Sequence, residues 1–235
     1  MASVTMLIIS RDYSILWGGV RRSRPDGPSS VMRRGFNGGS NSSGRALKKA
    51  RQLKAHLVFL DESGRLMAPL TRRSWSPRGQ TPVLYQRTRA HQKVSAIAAL
   101  SISPHHHRLH LYFRLHPDVN INASLVIAFL RQLLRQLDGP VVLVWDRLQA
   151  HRARSVQAFI QNLPRLHVHS FPPYAPELNP VENVWGYLKT NPLSNRPFFD
   201  VDSLAKATNS CARSLQKTPP LLRAFIEHCP LSLCP

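Results

Sequence analysis

Three carboxylates stand where the sequence predicts the ends of strands or the start of a helix. Asp61 ends the apolar run HLVFLD, Asp146 ends the apolar run PVVLVWD, and Glu182 lies in the first turn of a helix after the loop SFPPYAPELNP. Active sites favour the carboxyl edge of a sheet. Oxygen ligands without cysteine suit hard cations such as Mg²⁺, and a pair of these ions promotes in-line displacement at phosphorus. The pattern therefore predicts metal-dependent phosphodiester chemistry.

Each of these carboxylates also has an ordinary structural interpretation. Asp61, in LDESG, and Asp146 could each open a turn at the end of a strand by hydrogen bonding to the backbone. Glu182 could be the third helical residue of a capping box, with Asn179 at the N-cap and Pro180 at the first helical position. Taken one at a time, none of the three carboxylates is decisive.

The elements that must position these residues follow the order strands, helix, strand, helix, strand, helix. The predicted strands are residues 56–61, 93–102, 108–115, 140–146 and 166–171, and the predicted helices are residues 120–137, 155–163 and 180–189. The run at 140–146 lacks alternation, which is typical of a central strand buried on both faces. Trp145 and Trp185 lie within apolar segments and are predicted to anchor the core. This order predicts an α/β fold with a mixed β-sheet flanked by helices.

The chain divides into three predicted segments. Residues 1–44 are rich in Gly, Ser and Arg without a sustained apolar period, which predicts a disordered basic arm. Residues 45–190 hold the predicted catalytic domain. Residues 191–235 are predicted to form a C-terminal helical extension, with helices near 201–215 and 220–228 that pack on the core.

The charge balance points to a polyanionic partner. The 235 residues include 32 Lys and Arg against 12 Asp and Glu, a formal net charge of +20. Such a field favours nucleic acid, although a merely basic protein is the alternative. The three cysteines lack metal-ligand spacing, and the pattern predicts neither a signal peptide nor a membrane helix, which needs an apolar stretch of roughly 18 to 20 residues. A cytoplasmic protein that does not enter membranes is expected.

The segments LVFLDESG, VLVWDRLQAHRA and PPYAPELNPVENVWGYLK closely resemble the DDE transposases of the mariner superfamily, in particular its bacterial insertion-sequence branch. The resemblance runs from about residue 45 to 190, and more weakly to 227. It implies a ribonuclease H-like fold in which Asp61, Asp146 and Glu182 hold two Mg²⁺ ions, or Mn²⁺ as a substitute, for cleavage and transfer of DNA strands. Glu177 is the nearest rival carboxylate, but the family pattern assigns the metal to the glutamate after Asn-Pro.

The same resemblance implies partners and further site residues. Double-stranded DNA, as transposon ends and target, is the expected partner, a homodimer is expected, and the location would be the bacterial nucleoid. Arg72, Arg73 and Arg78 lie in a basic, turn-rich segment that could follow DNA phosphates, with a solvated surface as the alternative. His151 stands where the family commonly has a histidine and could position a phosphate or a water, with a solvent-exposed histidine as the alternative. Lys189 is a further candidate for DNA binding.

One departure from the family concerns the N-terminus. Members normally carry a helix-turn-helix region there, whereas residues 1–44 show no paired amphipathic helices. The chain is therefore expected to be the catalytic half of a split element or a degenerate remnant. Two alternatives remain, namely a catalytically inactive remnant that only binds DNA non-specifically and a ribonuclease for RNA:DNA hybrids. The intact carboxylates disfavour the first alternative, and the segment PELNPVENVW disfavours the second.

Overall fold

The computed structural model describes residues 3–8, 40–63, 77, 83–88, 93–104, 108–190, 193–196, 198 and 200–230. In chain order, its elements are β1 (Ser3–Ile8), α1 (Ser40–Leu53), β2 (His56–Ser63), β3 (Val83–Thr88), β4 (Val94–Ile102), β5 (Leu109–Pro117), α2 (Ala123–Leu134), β6 (Val141–Trp145), α3 (Arg154–Gln161), β7 (Leu166–Ser170), a 3₁₀ turn (Pro176–Leu178), α4 (Pro180–Thr190), α5 (Val201–Gln216) and α6 (Pro219–Glu227).

Five of the strands form one mixed sheet in the order β5-β4-β2-β6-β7, and β1 pairs with β3 separately. β2 is antiparallel to β4 and parallel to β6, β4 is antiparallel to β5, and β6 is parallel to β7. Antiparallel neighbours need only short connections, whereas parallel neighbours need crossovers, which contain α2 and α3 here. The predicted α/β fold, with antiparallel strands first and crossover units after them, is confirmed.

The position of β6 differs from the prediction. All five of its residues are buried, as an apolar run without alternation predicts. The centre of the sheet is nevertheless β2, and β6 lies between β2 and the edge strand β7. A strand next to the edge is buried as completely as a central one when helices cover both faces, so the apolar run could not separate the two positions.

Strand alternation divides the core into two clusters, one on each face of the sheet. Leu57 and Phe59 of β2 face α1, α4, α5 and α6, and Val58 and Leu60 face α2 and α3. The C-terminal helices contribute buried residues such as Leu204 to the first cluster, so they pack on the core as predicted. Both tryptophans, at positions 145 and 185, are buried, which confirms them as core residues.

Two parts of the predicted basic arm, residues 1–44, adopt regular structure instead. Ser3–Ile8 pairs antiparallel with β3, and the apolar and β-branched sequence SVTMLI is typical of a strand. Helix α1 begins at Ser40, within the same segment. Residues 9–39 lie outside the described residues, and so do Arg72, Arg73 and Arg78. Within the described ranges, the structure contains no helix that combines the length and the apolar character needed to cross a membrane.

Candidate active site

Asp61 and Asp146 lie at the same end of the sheet because β2 and β6 are parallel neighbours. The register pairs Phe59 with Val144, and two residues further along each chain stand Asp61 and Asp146. β2 continues past this point to Ser63, paired with β4, so Asp61 stays inside the sheet and is only 7% exposed. Asp146 follows the last residue of β6 and is partly exposed. The predicted juxtaposition of two strand-end carboxylates is therefore observed.

Glu182 comes to the same place from the first turn of α4. The Asn179 side chain accepts a hydrogen bond from the Val181 N–H at 3.2 Å, and the Asn179 N–H donates to the Pro176 carbonyl at 2.9 Å. A capping box would instead use the Glu182 carboxylate to accept from that N–H. Because the Asn179 N–H already has a partner, the Glu182 side chain is left to line the pocket described next.

One open pocket of about 570 Å³ contains all three predicted carboxylates. Its walls are the loop after β6 and the proline-rich loop before α4, and its lining residues are Asp61, Asp146, Arg147, Leu148, Gln149, Phe171, Pro172, Pro173, Tyr174, Ala175, Pro176, Asn179 and Glu182. Glu177, the rival carboxylate, is exposed and does not line this pocket. Lys189 lies seven residues beyond Glu182, about 10 Å further along α4.

The environment of Asp61 disfavours its charge. Burial and the nearby Glu182 carboxylate raise the pKa of Asp61 to about 8, although the Trp185 Nε1–H donates to Asp61 Oδ2 at 2.7 Å and lowers it. Glu62 and Asp146 raise the pKa of Asp61 further. A buried carboxylate surrounded by other carboxylates is the arrangement that a bound cation would relieve.

His151 connects two carboxylates and is buried, not solvent-exposed as the alternative interpretation had it. Its side chain is 2% exposed, and its ring stacks on that of Trp145 with centroids 4.0 Å apart. Nε2 lies 2.7 Å from Glu62 Oε1, and Nδ1 lies 3.0 Å from Asp146 Oδ1. Burial lowers the pKa of His151, but the bonds to Asp146 and Glu62 outweigh it and raise the pKa to about 9. At neutral pH the imidazolium therefore donates to both carboxylates.

Asp146 is held in the opposite electrostatic state from Asp61. Burial raises the pKa of Asp146, but the hydrogen bonds from His151 and from the Leu148 N–H, the latter at 3.0 Å, together bring the pKa below its ordinary value. Asp146 is therefore ionised at neutral pH, whereas Asp61 is largely protonated. Two carboxylates at one site thus have their pKa values separated by their surroundings.

Glu62 is a site residue that the sequence interpretation missed. It follows Asp61 directly, so strand alternation sends the two side chains to opposite faces of the sheet. Among the described residues, Glu62, Asp146 and His151 form a group whose possible ligand atoms all lie within 4.8 Å of one another. A histidine must be neutral in order to bind a metal ion, whereas His151 is protonated between two carboxylates. The geometry therefore favours a hydrogen-bonded chain in which His151 orients Asp146. It disfavours a second metal site formed by Glu62, Asp146 and His151.

The first testable prediction concerns this hydrogen-bonded chain. Replacing Glu62 with glutamine is expected to lower the pKa of His151 from about 9 towards its ordinary value of 6.5, because a carboxylate partner is lost. A histidine with a raised pKa in the folded state adds stability that is complete below pH 6.5 and disappears as pH rises through 9. In Glu62→Gln, this loss between pH 6.5 and 9 should be smaller by about 1–3 kcal/mol.

NMR titration of the His151 ring and urea unfolding at pH 6 and pH 9.5 measure both effects. Glu227→Gln, an exposed position on α6, removes the same charge away from the site and serves as the control. An unchanged His151 titration in Glu62→Gln would contradict the assigned hydrogen bond.

The mixed sheet and its carboxylate-lined edge define a ribonuclease H-like catalytic domain. A family model described as "DDE superfamily endonuclease" matches residues 56–205, and the chain belongs to this family. The match contains all three carboxylates and extends into α5, past the predicted domain end at residue 190. The predicted membership in the DDE family is thereby confirmed.

Three of the solved structures of similar fold are complexes of the Mos1 mariner transposase. The "Mos1 transposase paired-end complex with left transposon end" covers 91% of this chain at 18% identity with a TM-score of 0.57. The "Mos1 mariner paired end complex with Mn" covers 91% of this chain at 18% identity with a TM-score of 0.56. The corresponding complex with Mg covers 92% of this chain at 18% identity with a TM-score of 0.53. This likeness confirms the ribonuclease H-like fold. The present chain spans 64% of the first two transposase chains and 66% of the third.

One curated relative matches a shorter stretch. The "Uncharacterized protein y4pE/y4sA" of Sinorhizobium fredii (strain NBRC 101917 / NGR234) is 56% identical over 41 residues, which is 17% of this chain and 29% of that protein.

Proposed function

We propose that this chain is the catalytic domain of a DNA transposase, which cuts strands at transposon ends and transfers the new 3′-hydroxyl ends to target DNA with Mg²⁺, or Mn²⁺ in its place. The observation that carries the proposal is the pocket in which Asp61, Asp146 and Glu182 converge. Two of these carboxylates accept hydrogen bonds from dedicated donors, which is the support that a catalytic group needs in order to keep its geometry.

The residues of the pocket fit a hard divalent cation. Mg²⁺ binds one or two carboxylates and keeps sites for water and phosphate oxygens, and this pocket offers carboxylates and open space. The raised pKa of Asp61 supports the fit, because repulsion from Glu182 contributes to it. Asp61, Asp146 and Glu182 would hold the metal, and we propose two ions. Such ions, when bound, promote attack at phosphorus and stabilise the oxygen that leaves.

The protein's own residues set the geometry around these carboxylates. Trp185 fixes Asp61 through Oδ2. The Leu148 N–H and His151 both bind Oδ1 of Asp146, which directs its other oxygen to a ligand. Arg147 is the one cation among the described residues that line the pocket, and its guanidinium suits a phosphate oxygen of the DNA backbone.

The proposed reaction has two in-line steps at phosphorus. In the first step, a water oxygen bonds to the phosphorus at the transposon end and the bond from phosphorus to O3′ breaks, which leaves a free 3′-hydroxyl. In the second step, this hydroxyl bonds to a phosphorus of the target strand and displaces that strand's own O3′. Both steps exchange one P–O bond for another, so the same carboxylates can serve both.

The remaining parts of the proposal concern partners and location. Double-stranded DNA is the proposed partner, and the net charge of +20 supports it. The similar solved structures include paired-end complexes of Mos1, one of them with the left transposon end. We propose that this chain acts as a homodimer, on DNA of the bacterial nucleoid in the cytoplasm. Within this proposal, Lys189 is a candidate phosphate contact and His151 a positioning residue.

A nicking assay tests the proposal. Purified chain is incubated with a duplex that carries the terminal sequences of its own element, in Mg²⁺, in Mn²⁺ or in EDTA, beside the Asp146→Ala variant. Nicking that requires metal and disappears in the variant supports a working catalytic domain. DNA binding without nicking would instead identify an inactive remnant, and cleavage confined to RNA:DNA hybrids would identify a ribonuclease.

A further inference from the structure

A second concave surface, the β5–α5 groove, lies between the edge strand β5 and helix α5. Its volume is about 710 Å³. Four exposed cations line it, with Arg114 on β5 and Lys206, Arg213 and Lys217 on or just after α5. None of the described residues that line this groove is acidic, so no acidic side chain among them neutralises its charge. A concave surface of one charge sign concentrates ligands of the opposite sign.

The register of the sheet places this groove beside the carboxylate pocket. Asp61 pairs with Ala98, and Ala98 pairs with Phe113, which lines the groove. Residues directly opposite each other in antiparallel pairs share a face, so Asp61 and Phe113 lie in one row on the same face. Two strand spacings of about 4.8 Å separate their backbones by about 10 Å. The groove therefore begins about 10 Å from Asp61 and extends to the edge of the sheet.

The spacing of the cations matches a nucleic acid backbone. Lys206 and Lys217 are 11 residues apart, which corresponds to about 16 Å along a helix. A DNA strand advances about 3.4 Å per phosphate along the axis, so the cations span about five phosphates. The two walls are joined by the Gln216 side chain, whose Nε2 donates to the Leu111 carbonyl at 2.6 Å. The cations are thus presented from a fixed surface.

We propose that the β5–α5 groove is a DNA backbone-binding site that holds the duplex about three to eight base pairs from the cleaved bond, on one side of it. The lower bound follows from the distance of about 10 Å between the pocket and the near wall, and the upper bound from the further span of about 16 Å. Its contacts are to phosphates, so this binding is independent of sequence. The inference rests on the proposed function, because the Asp61 pocket locates the cleaved bond.

Fluorescence anisotropy in EDTA tests the groove without relying on cleavage. Duplexes with a fixed cleavage site are shortened stepwise from about 12 to 2 base pairs, first on one side and then on the other. The groove variant is Lys206→Gln/Arg213→Gln/Lys217→Gln. The control is Lys48→Gln/Arg51→Gln/Arg135→Gln, which removes three exposed cations outside the groove.

Wild type and the control are expected to bind more tightly as the duplex on one side of the cleavage site grows from about three to eight base pairs. The groove variant should lose this gain, with affinity for the longest duplex falling about 10- to 100-fold near 0.1 M salt. The slope of log affinity against log salt should become shallower by about 2–3, at roughly 0.9 per phosphate contact. If the triple variant has a lower melting temperature than wild type, Lys206→Gln alone should make the slope of log affinity against log salt shallower by about 1.

Three results would overturn the proposal, namely an unchanged length dependence in the groove variant, an equal loss in the control, or self-association of the groove variant with unchanged DNA affinity. The last result would mean that the charges only protect the edge strand. Failure of the proposed function looks different, because wild type would then bind duplexes without nicking them in Mg²⁺. Asp146→Ala, which removes nicking, should keep the full length dependence of binding.

Discussion

Replacing Asp61 with asparagine is expected to abolish nicking and at the same time to stabilise the metal-free protein. The loss of nicking, by about 1000-fold or more, follows from removing one of the three carboxylates proposed to bind the metal, since a factor of 1000 is about 4 kcal/mol of transition-state stabilisation. The gain in stability follows from removing a buried negative charge that Glu182 repels. An amide oxygen of similar shape can still accept the hydrogen bond from Trp185.

The sign and pH range of the stability effect follow from the raised pKa. The Asp61 carboxyl ionises near its ordinary value of 3.8 in the unfolded chain and near 8 in the folded protein. Between these values the unfolded state holds the negative charge more easily, so wild-type stability falls as pH rises from about 4 to 8 and then levels off. The full difference is about 6 kcal/mol at most, at 1.36 kcal/mol per pKa unit.

Thermal melts in EDTA at pH 5, 7 and 9 measure this effect. Asp61→Asn should melt at least about 5 °C above wild type at pH 9, with a smaller difference at pH 5. Adding Mg²⁺ should raise the wild-type melting temperature more than that of the variant, because ligands that bind the folded state stabilise it. Asp138→Asn, at an exposed position, is the control. A variant that melts below wild type at pH 9 would show that Asp61 carries no electrostatic cost.

The second large effect is expected at Glu182 and not at Glu177. These glutamates lie on either side of Asn179, and both are exposed, but only Glu182 lines the pocket. Glu182→Gln should slow single-turnover nicking in Mg²⁺ by about 100- to 1000-fold, as expected for a group that stabilises the transition state electrostatically. Glu177→Gln removes the same charge from the same region and should stay within about 3-fold of wild type.

A second readout for these glutamates does not depend on activity. The Glu182 carboxylate contributes to the raised pKa of Asp61, so Glu182→Gln should reduce the fall in metal-free stability between pH 4 and 8. Glu177→Gln should leave that fall as it is in wild type. Equal effects of the two substitutions on nicking would reject the assignment of Glu182 as the metal ligand.

The sequence located the carboxylates because local patterns end at them. The apolar runs of β2 and β6 stop at or near Asp61 and Asp146, and Asn179 followed by Pro180 marks the start of the helix that carries Glu182. Helix boundaries at α4, α5 and α6 also agree with the prediction within about one residue. In each case the signal lies within a few neighbouring residues, where apolar period, proline and capping side chains act directly.

Features that depend on distant parts of the chain were not predictable in this way. Trp185 and Asp61 are 124 residues apart in sequence, and His151 and Glu62 are 89 residues apart. Which strand lies at the centre, and therefore which side chains meet across the sheet, is decided by tertiary pairing. Glu62 was missed because its role becomes visible only when the register brings β2 beside β6 and strand alternation turns its side chain towards His151.

The neighbouring positions of Asp61 and Glu62 on β2 have a mechanical consequence. One side chain is tied to α4 through Trp185 on one face of the sheet, and the other is tied through His151 to the segment before α3 on the opposite face. Hydrogen bonds therefore connect the two helical layers to two consecutive residues of the central strand. Sliding of either layer along the sheet would strain one of these short polar bonds earlier than it would disturb the broad apolar packing. The candidate active site is thus also the place where the relative alignment of all three layers is set.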